Sequence, residues 1–308
     1  MVSDFLLPWA RLSSQSLSAE KRKEQGVPEY ATFYLEYGKE AGHWEGKDLV
    51  KHLTEIAIPI AGAIYPGYQF LFLFDNSSNH RLFASDALRA SSMNLTSGGE
   101  QAFLRESYYT GGDGIRYIQP IELEGGVKIQ KGLQQVLVER GLWPEGGLHL
   151  ECTKNLCVGC LPIKNCRICK SGDKCTECKT KKTCSGPCSS DQPNFKAQVG
   201  MLTEVIQNRN HRVHFFPPFY CELNLIKYYW GAAKHHAQDH CEYTIDALRQ
   251  TLPASFSSVP NSTIHAFYHK CLRCIQAYHD QVDFGTSEYE QYLKAYKSHW
   301  HVYFLTND

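Results

Sequence analysis

The 308-residue chain carries no excess of charge: lysine plus arginine number 32, and aspartate plus glutamate number 32. That balance excludes a generally basic nucleic-acid coat, though not a local basic patch. Long hydrophobic runs are missing as well. The longest, Ile56 to Tyr65, is about ten residues with Pro59 inside it, about half of what a bilayer-spanning helix needs. The first residues lack the charged, apolar and small-residue order of a secretory leader. An intracellular protein with no membrane partner is expected. No Gly-x-Gly-x-x-Gly follows a strand and opens a helix, so a phosphate loop is excluded. Composition is otherwise ordinary: 43% hydrophobic and 21% charged residues exclude a mainly disordered or fibrous chain.

Cysteine is what the chain has in unusual supply. Of 13 cysteines, nine fall between Cys152 and Cys188. Eight of these form four pairs: Cys157 with Cys160, Cys166 with Cys169, Cys175 with Cys178, and Cys184 with Cys188. The first members recur every nine residues. A two-residue gap lets both thiolates of a knuckle reach one tetrahedral zinc, and eight thiolates suffice for two four-cysteine sites. In an intracellular chain such clustering argues for metal before disulfides. Structural zinc is therefore expected, the alternative being a reduced cysteine-rich loop. A segment so poor in apolar residues takes its folding energy from the metal. Lys154, Lys164, Arg167, Lys170, Lys174, Lys179, Lys181 and Lys182 lie among the cysteines. They offset thiolate charge and could contact phosphates. Cys271 and Cys274 sit in a predicted helix and read as core packing.

Along the chain, Met1–Trp9 and Tyr30–Tyr37 are β-prone. Residues 47–63 carry an amphipathic helical pattern that Pro59 should kink or end. Tyr68–Phe74 is a short continuous apolar run, which predicts a strand buried on both faces and ending in Asp75-Asn76. Such a strand end is where α/β folds place chemistry. Gly98-Gly99 and Gly111-Gly112 mark turns. Helices are predicted over 129–140, from Pro193 to about Asn210, over 224–237, near 261–282 and near 286–298, with a strand over Arg212–Phe216. The pattern predicts a small mixed sheet flanked by helices, an insert and a helical C-terminal tail. The expected divisions are 1–150 and 191–240 as an α/β core, 151–190 as the insert, and 241–308 as the helical region.

Three segments together carry a resemblance. Phe70-Leu-Phe-Leu-Phe-Asp-Asn-Ser-Ser-Asn-His80 is a strand ending in Asp-Asn with a histidine nearby. Met93-Asn-Leu precedes Gly98-Gly99. Phe216-Pro-Pro-Phe-Tyr-Cys-Glu-Leu-Asn-Leu-Ile-Lys-Tyr-Tyr-Trp230 follows the cysteine block. In this order they resemble the catalytic core of a mariner-like transposase of the Asp-Asp-Glu endonuclease superfamily, most closely the large fungal type with a cysteine-rich insert. The resemblance implies a ribonuclease-H-like fold, DNA as partner, a nuclear location, and two magnesium ions about 3.5–4 Å apart on three carboxylates. Asp75 matches the second catalytic acid. The first belongs on a strand placed before Met1, so an N-terminally truncated core is expected; Asp4 matches a neighbouring strand and does not take that role. The third acid belongs where Lys227 stands, and Glu222 matches an acidic position five residues earlier that is not the usual ligand. One carboxylate cannot hold two metal ions, and a lysine repels them or pairs with Asp75 instead. A catalytically defective core is therefore expected, with Asp75 the only magnesium ligand in place and Glu222 a weak catalytic candidate. The alternatives are a non-enzymatic, zinc-dependent nucleic-acid- or protein-binding module, and a metal hydrolase using Asp75, Glu222 and His80. Lys234, one turn after Trp230, could approach a phosphate. His236 and His240, with His235 beside them, have metal-ligand spacing but read as a wet helix face.

Overall fold

The structure, a computed structural model, describes residues 2–35, 42–122, 129–143 and 192–295. The expected insert 151–190 lies outside the described residues. So do all eight cysteines expected to hold zinc: Cys157, Cys160, Cys166, Cys169, Cys175, Cys178, Cys184 and Cys188. The architecture is mixed helix and strand with small sheets. In chain order come β1 (Val2–Ser3), β2 (Leu6–Leu7), β3 (Ala10–Arg11), α1 (Ala19–Gln25), β4 (Phe33–Tyr34), α2 (Gly46–His52), α3 (Ile58–Ile64), β5 (Leu71–Phe74), β6 (Ser107–Thr110), β7 (Arg116–Gln119) and α4 (Leu133–Glu139). Then follow α5 (Pro193–Lys196), α6 (Met201–Asn208), β8 (Arg212–Phe215), α7 (Leu225–His240), α8 (Ile245–Ser257), α9 (Asn261–His279) and α10 (Ser287–Ala295). Packing divides the chain into one unit of 1–82 with 201–308 and another of 83–200.

In the first unit the described strands form separate two-stranded ladders: β1 with β4, β2 with β3, and β5 with β8. The predicted strand over Met1–Trp9 is broken by Asp4-Phe5, and Leu7 pairs with Ala10 across a Pro8-Trp9 turn. β5 and β8 run parallel, with Leu71 opposite Arg212 and Phe74 opposite Phe215. Phe72 and Phe74 point inward onto Leu53, Ile60, Leu202 and Ile206. Burying a side chain of this size contributes about 1.5–3 kcal/mol. Leu71 and Leu73 point outward and are 59% and 50% exposed. The expected two-faced burial of β5 is thereby corrected. A continuous apolar run cannot distinguish a covered sheet face from an open one, because alternation is erased when both faces carry apolar residues.

Pro59 does not end the helix either. Between α2 and α3 lies a π segment, Leu53–Ala57, where the Ile58 N–H reaches back to the Leu53 carbonyl. Proline lacks a donor and its ring collides with the carbonyl four residues earlier. The widened turn removes that collision and carries the helix on to Ile64.

Helices α7, α8 and α9 enclose a second core around Tyr229, Phe256 and Ile264. Tyr229 is fully buried and donates to the Phe256 carbonyl at 3.2 Å. Cys271 and Cys274 are buried free thiols, and burial pushes Cys271 up to about 12.

Near the N-terminus, Asp4 is buried. It accepts from the Phe5 N–H and the Thr32 hydroxyl, both at 2.8 Å. Arg11 directs its donor to Thr32 at 2.7 Å and stays 3.8 Å from the carboxylate. Burial therefore prevails over the guanidinium and raises Asp4 from 3.8 to about 6. Between those two values the folded chain keeps a proton that the unfolded chain has lost, so stability falls as pH rises through the window. Asp4→Asn is expected to remove this loss. The difference in urea-unfolding free energy between variant and wild type should shift in the variant's favour by on the order of 2–3 kcal/mol from pH 4 to pH 7.

The second unit packs α4 and α5 against the β6–β7 hairpin around Leu104, Ile121, Leu133, Val136 and Phe195. Gly98 and Gly99 have positive φ, which only glycine adopts freely, at the turn read from the sequence, whereas in the β6–β7 hairpin it is Gly114, not Gly111 or Gly112, that takes positive φ. A polar hub sits beside the core. Arg140 donates to Gln119 at 2.8 Å, Asn194 at 2.9 Å and Ser107 at 3.1 Å. Burial lowers Arg140 to about 10, and neutral oxygens rather than a carboxylate satisfy its donors.

Candidate functional site

β5 delivers Asp75 at its C-terminal end, beside the parallel end of β8. The Phe216 N–H extends the ladder to the Phe74 carbonyl at 2.8 Å, and Pro217-Pro218 then stop the strand. A short 3-10 turn, Ser78–Arg81, brings His80 back over Phe74, ring centroids 5.5 Å apart. This turn is pressed against the start of α2. A Cβ on Gly46 would collide with the Asn79 carbonyl and lie 2.7 Å from Leu82.

Beyond β8 the chain makes a second 3-10 turn, Cys221–Leu223, and α7 begins at Leu225. Asn224 stands at the N-cap position, but its side chain makes no capping bond. Lys227 lies in the first helical turn, its N–H bonded to the Asn224 carbonyl at 3.1 Å. Its Nζ is 3.6 Å from Asp75 Oδ2. From the other side His80 Nδ1 is 2.9 Å from Oδ1. The same nitrogen is 3.0 Å from the Asp75 main-chain carbonyl, where its N–H is directed, so the Oδ1 contact is an ion pair without an aligned hydrogen bond.

The electrostatics follow from this geometry. The His80 ring, opposed by partial burial and helped by Lys227 and the Ser77 N–H, holds Asp75 below the usual carboxylate range. Burial works against charging His80, but the Asp75 side chain and carbonyl outweigh it and raise the ring above its ordinary value. The Asp75 contribution is lost as pH falls through its lowered value. That of His80 is full below its ordinary value and fades as pH rises through the raised one.

The other sequence candidates sit elsewhere. Glu222 accepts a hydrogen bond from the Tyr278 hydroxyl, and its main-chain carbonyl accepts from Tyr228 at 3.2 Å. It ties the start of α7 to α9. Lys234 is exposed on α7. His240 donates from Nδ1 to the His236 carbonyl at 2.8 Å, and His236 Nδ1 meets Ser255 Oγ at 3.1 Å. Their rings stack at 4.0 Å and 12°, so the remaining lone pairs lie side by side instead of converging on one point. Among the described residues, no group of three or more histidine, cysteine or acidic side chains is placed to hold a metal ion, and no helix is long and apolar enough to cross a membrane. The expected zinc ligands, Cys157 and Cys160, Cys166 and Cys169, Cys175 and Cys178, Cys184 and Cys188, are not among those residues.

No protein-family model matches this chain, and neither does any curated protein or solved structure. The site therefore has to be read from its own chemistry. One carboxylate flanked by an ammonium and a histidine ring does not fit a pair of magnesium ions: a divalent cation would meet the Lys227 charge beside the one carboxylate that the described residues place there. The ion pairing of Asp75 with Lys227 was legible only through the resemblance, which sets Lys227 at the third-acid position opposite Asp75. The role of Gly46 in seating the His80 turn has no local sequence signal, because Gly46 and Asn79 meet only in three dimensions.

Proposed function

We propose that this chain is a transposase-derived, ribonuclease-H-like core that binds DNA in the nucleus without cutting it, with structural zinc in the 151–190 segment. The observation that carries this reading is the Asp75 site, where Lys227 and His80 neutralise the one carboxylate at the tip of a parallel strand pair. The order of elements supports the family assignment: a strand ending in Asp-Asn, a parallel neighbour ending before two prolines, then a helix whose first turn faces back toward the aspartate. The donor set in 157–188 supports zinc, since paired thiolates suit a tetrahedral d¹⁰ ion. The basic side chains among those cysteines supply a sequence-independent phosphate contact.

Two measurements test the proposal. A supercoiled-plasmid nicking assay with Mg²⁺ or Mn²⁺ should yield no nicked or linear product above background. Cleavage that disappears in Asp75→Ala would show the site to be active and sink the defective-core reading. Binding to a short duplex should weaken steeply with salt, and deletion of 151–190 should abolish it. Retained binding after deletion would move the contact away from the cysteine block.

A further inference from the structure

We propose that His265 and His269 on α9 form a bidentate chelate for a divalent transition-metal ion that prefers right-angled nitrogen ligands, nickel(II) or copper(II), with water completing the coordination. The two residues are one helical turn apart and project from the same face. Their rings approach edge to face, centroids 4.4 Å apart at 80°, and their Nε2 atoms lie 3.0 Å from each other.

That separation suits such an ion. With metal–nitrogen bonds of about 2.0–2.1 Å, two nitrogens so spaced subtend about 95° at the metal. Tetrahedral zinc would hold them farther apart, at about 3.3–3.4 Å. A right angle belongs to adjacent positions of a square-planar or octahedral ion. His265 is exposed and His269 partly so, which opens the pair to an ion from solvent. The stacked pair of His236 and His240 has the same sequence spacing but parallel rings, and serves as an internal control. The chelate involves neither the Asp75 site nor the cysteine block.

The test is a Ni²⁺ titration of the full chain carrying ¹³C-labelled histidine, read by paramagnetic loss of each ring Cε1–H signal. The readout is specific to each histidine, so nickel taken up by thiolates does not register. The His265 and His269 signals should vanish together, at a nickel concentration at least tenfold below that affecting His236 and His240. In His269→Gln, loss of the His265 signal should require at least tenfold more nickel, and His265→Gln should do the same to His269. If either single variant leaves its partner's nickel response unchanged, or the pair responds no earlier than the other histidines, the contact is a shared proton only and the chelate is refuted.

Discussion

Replacing Lys227 with glutamate is expected to raise the affinity of the Asp75 site for Mn²⁺ by on the order of 10²-fold. Lys227 Nζ lies 3.6 Å from Asp75 Oδ2, and the two side chains are 41% and 34% exposed, so water-like screening applies. A unit charge about 4 Å from a divalent ion is then worth about 2 kcal/mol, and the exchange alters the local charge by two units. Allowing for looser geometry, about 3 kcal/mol remains. Glutamate would also sit in the first turn of α7, where the helix dipole favours an acid and no side-chain cap is yet made. Electron paramagnetic resonance of free Mn²⁺ measures the change directly. Wild-type chain should show no saturable binding at this site. The Lys227→Glu chain should bind, and Asp75→Asn in that background should return it to wild-type behaviour. Equal Mn²⁺ uptake by wild type and variant would mean that the ammonium is not what excludes the ion. The gain should appear without nicking activity, since two carboxylates still fall short of the set the resemblance implies.

The second large effect lies far from that site in sequence. Gly132→Ala should destabilise the 83–200 unit by at least about 3 kcal/mol. α4 has no side-chain cap. Its first amides are met instead by main-chain carbonyls of the Asn94 loop, Leu133 N–H to Asn94 at 2.9 Å and Gln134 N–H to Leu95 at 3.0 Å. Gly132 itself donates to Ser97 Oγ at 3.1 Å. This docking demands contact so close that a Cβ on Gly132 would lie 2.5 Å from both the Leu95 and Thr96 carbonyl oxygens, and nearer still to the Thr96 carbonyl carbon. All of these are backbone atoms, so no rotamer change relieves the clash. Alanine must push the loop away and leave the helix start without partners. Chemical denaturation followed by hydrogen exchange of α4 amides would report the loss. An alanine variant with wild-type protection of Leu133 and Gln134 would show the loop to be more compliant than its packing suggests.

How far the molecule could be read in advance depended on whether a feature is local. Helix α7 follows from the spacing of Leu223, Ile226, Trp230 and Ala233, because one face of it packs against a neighbour. β5 and β8 were recognisable as short β-prone runs closed by Asp75-Asn76 and by two prolines. The ends of elements fared differently: α9 stops at His279, and Met1–Trp9 proved to be two strands because Asp4 turns inward toward Thr32. The Arg140 hub joins residues as far apart as Ser107 and Asn194, whose mutual hydrogen bond spans 87 positions, and nothing near any of them announces it. The candidate site was accessible for the opposite reason. Its two charged ends stand at positions that the resemblance places together, so their meeting could be anticipated from it, whereas the seating of His80 by Gly46 could not.

The π segment before Pro59 binds two sequence features together over evolutionary time. A widened turn is geometrically a one-residue insertion into a regular helix, so removing a residue from 53–57 would restore ordinary winding and at once return the proline ring to its forbidden carbonyl. Replacing the proline first would make that deletion tolerable. Descendants of this chain should therefore lose Pro59 before, and not after, they lose the extra residue.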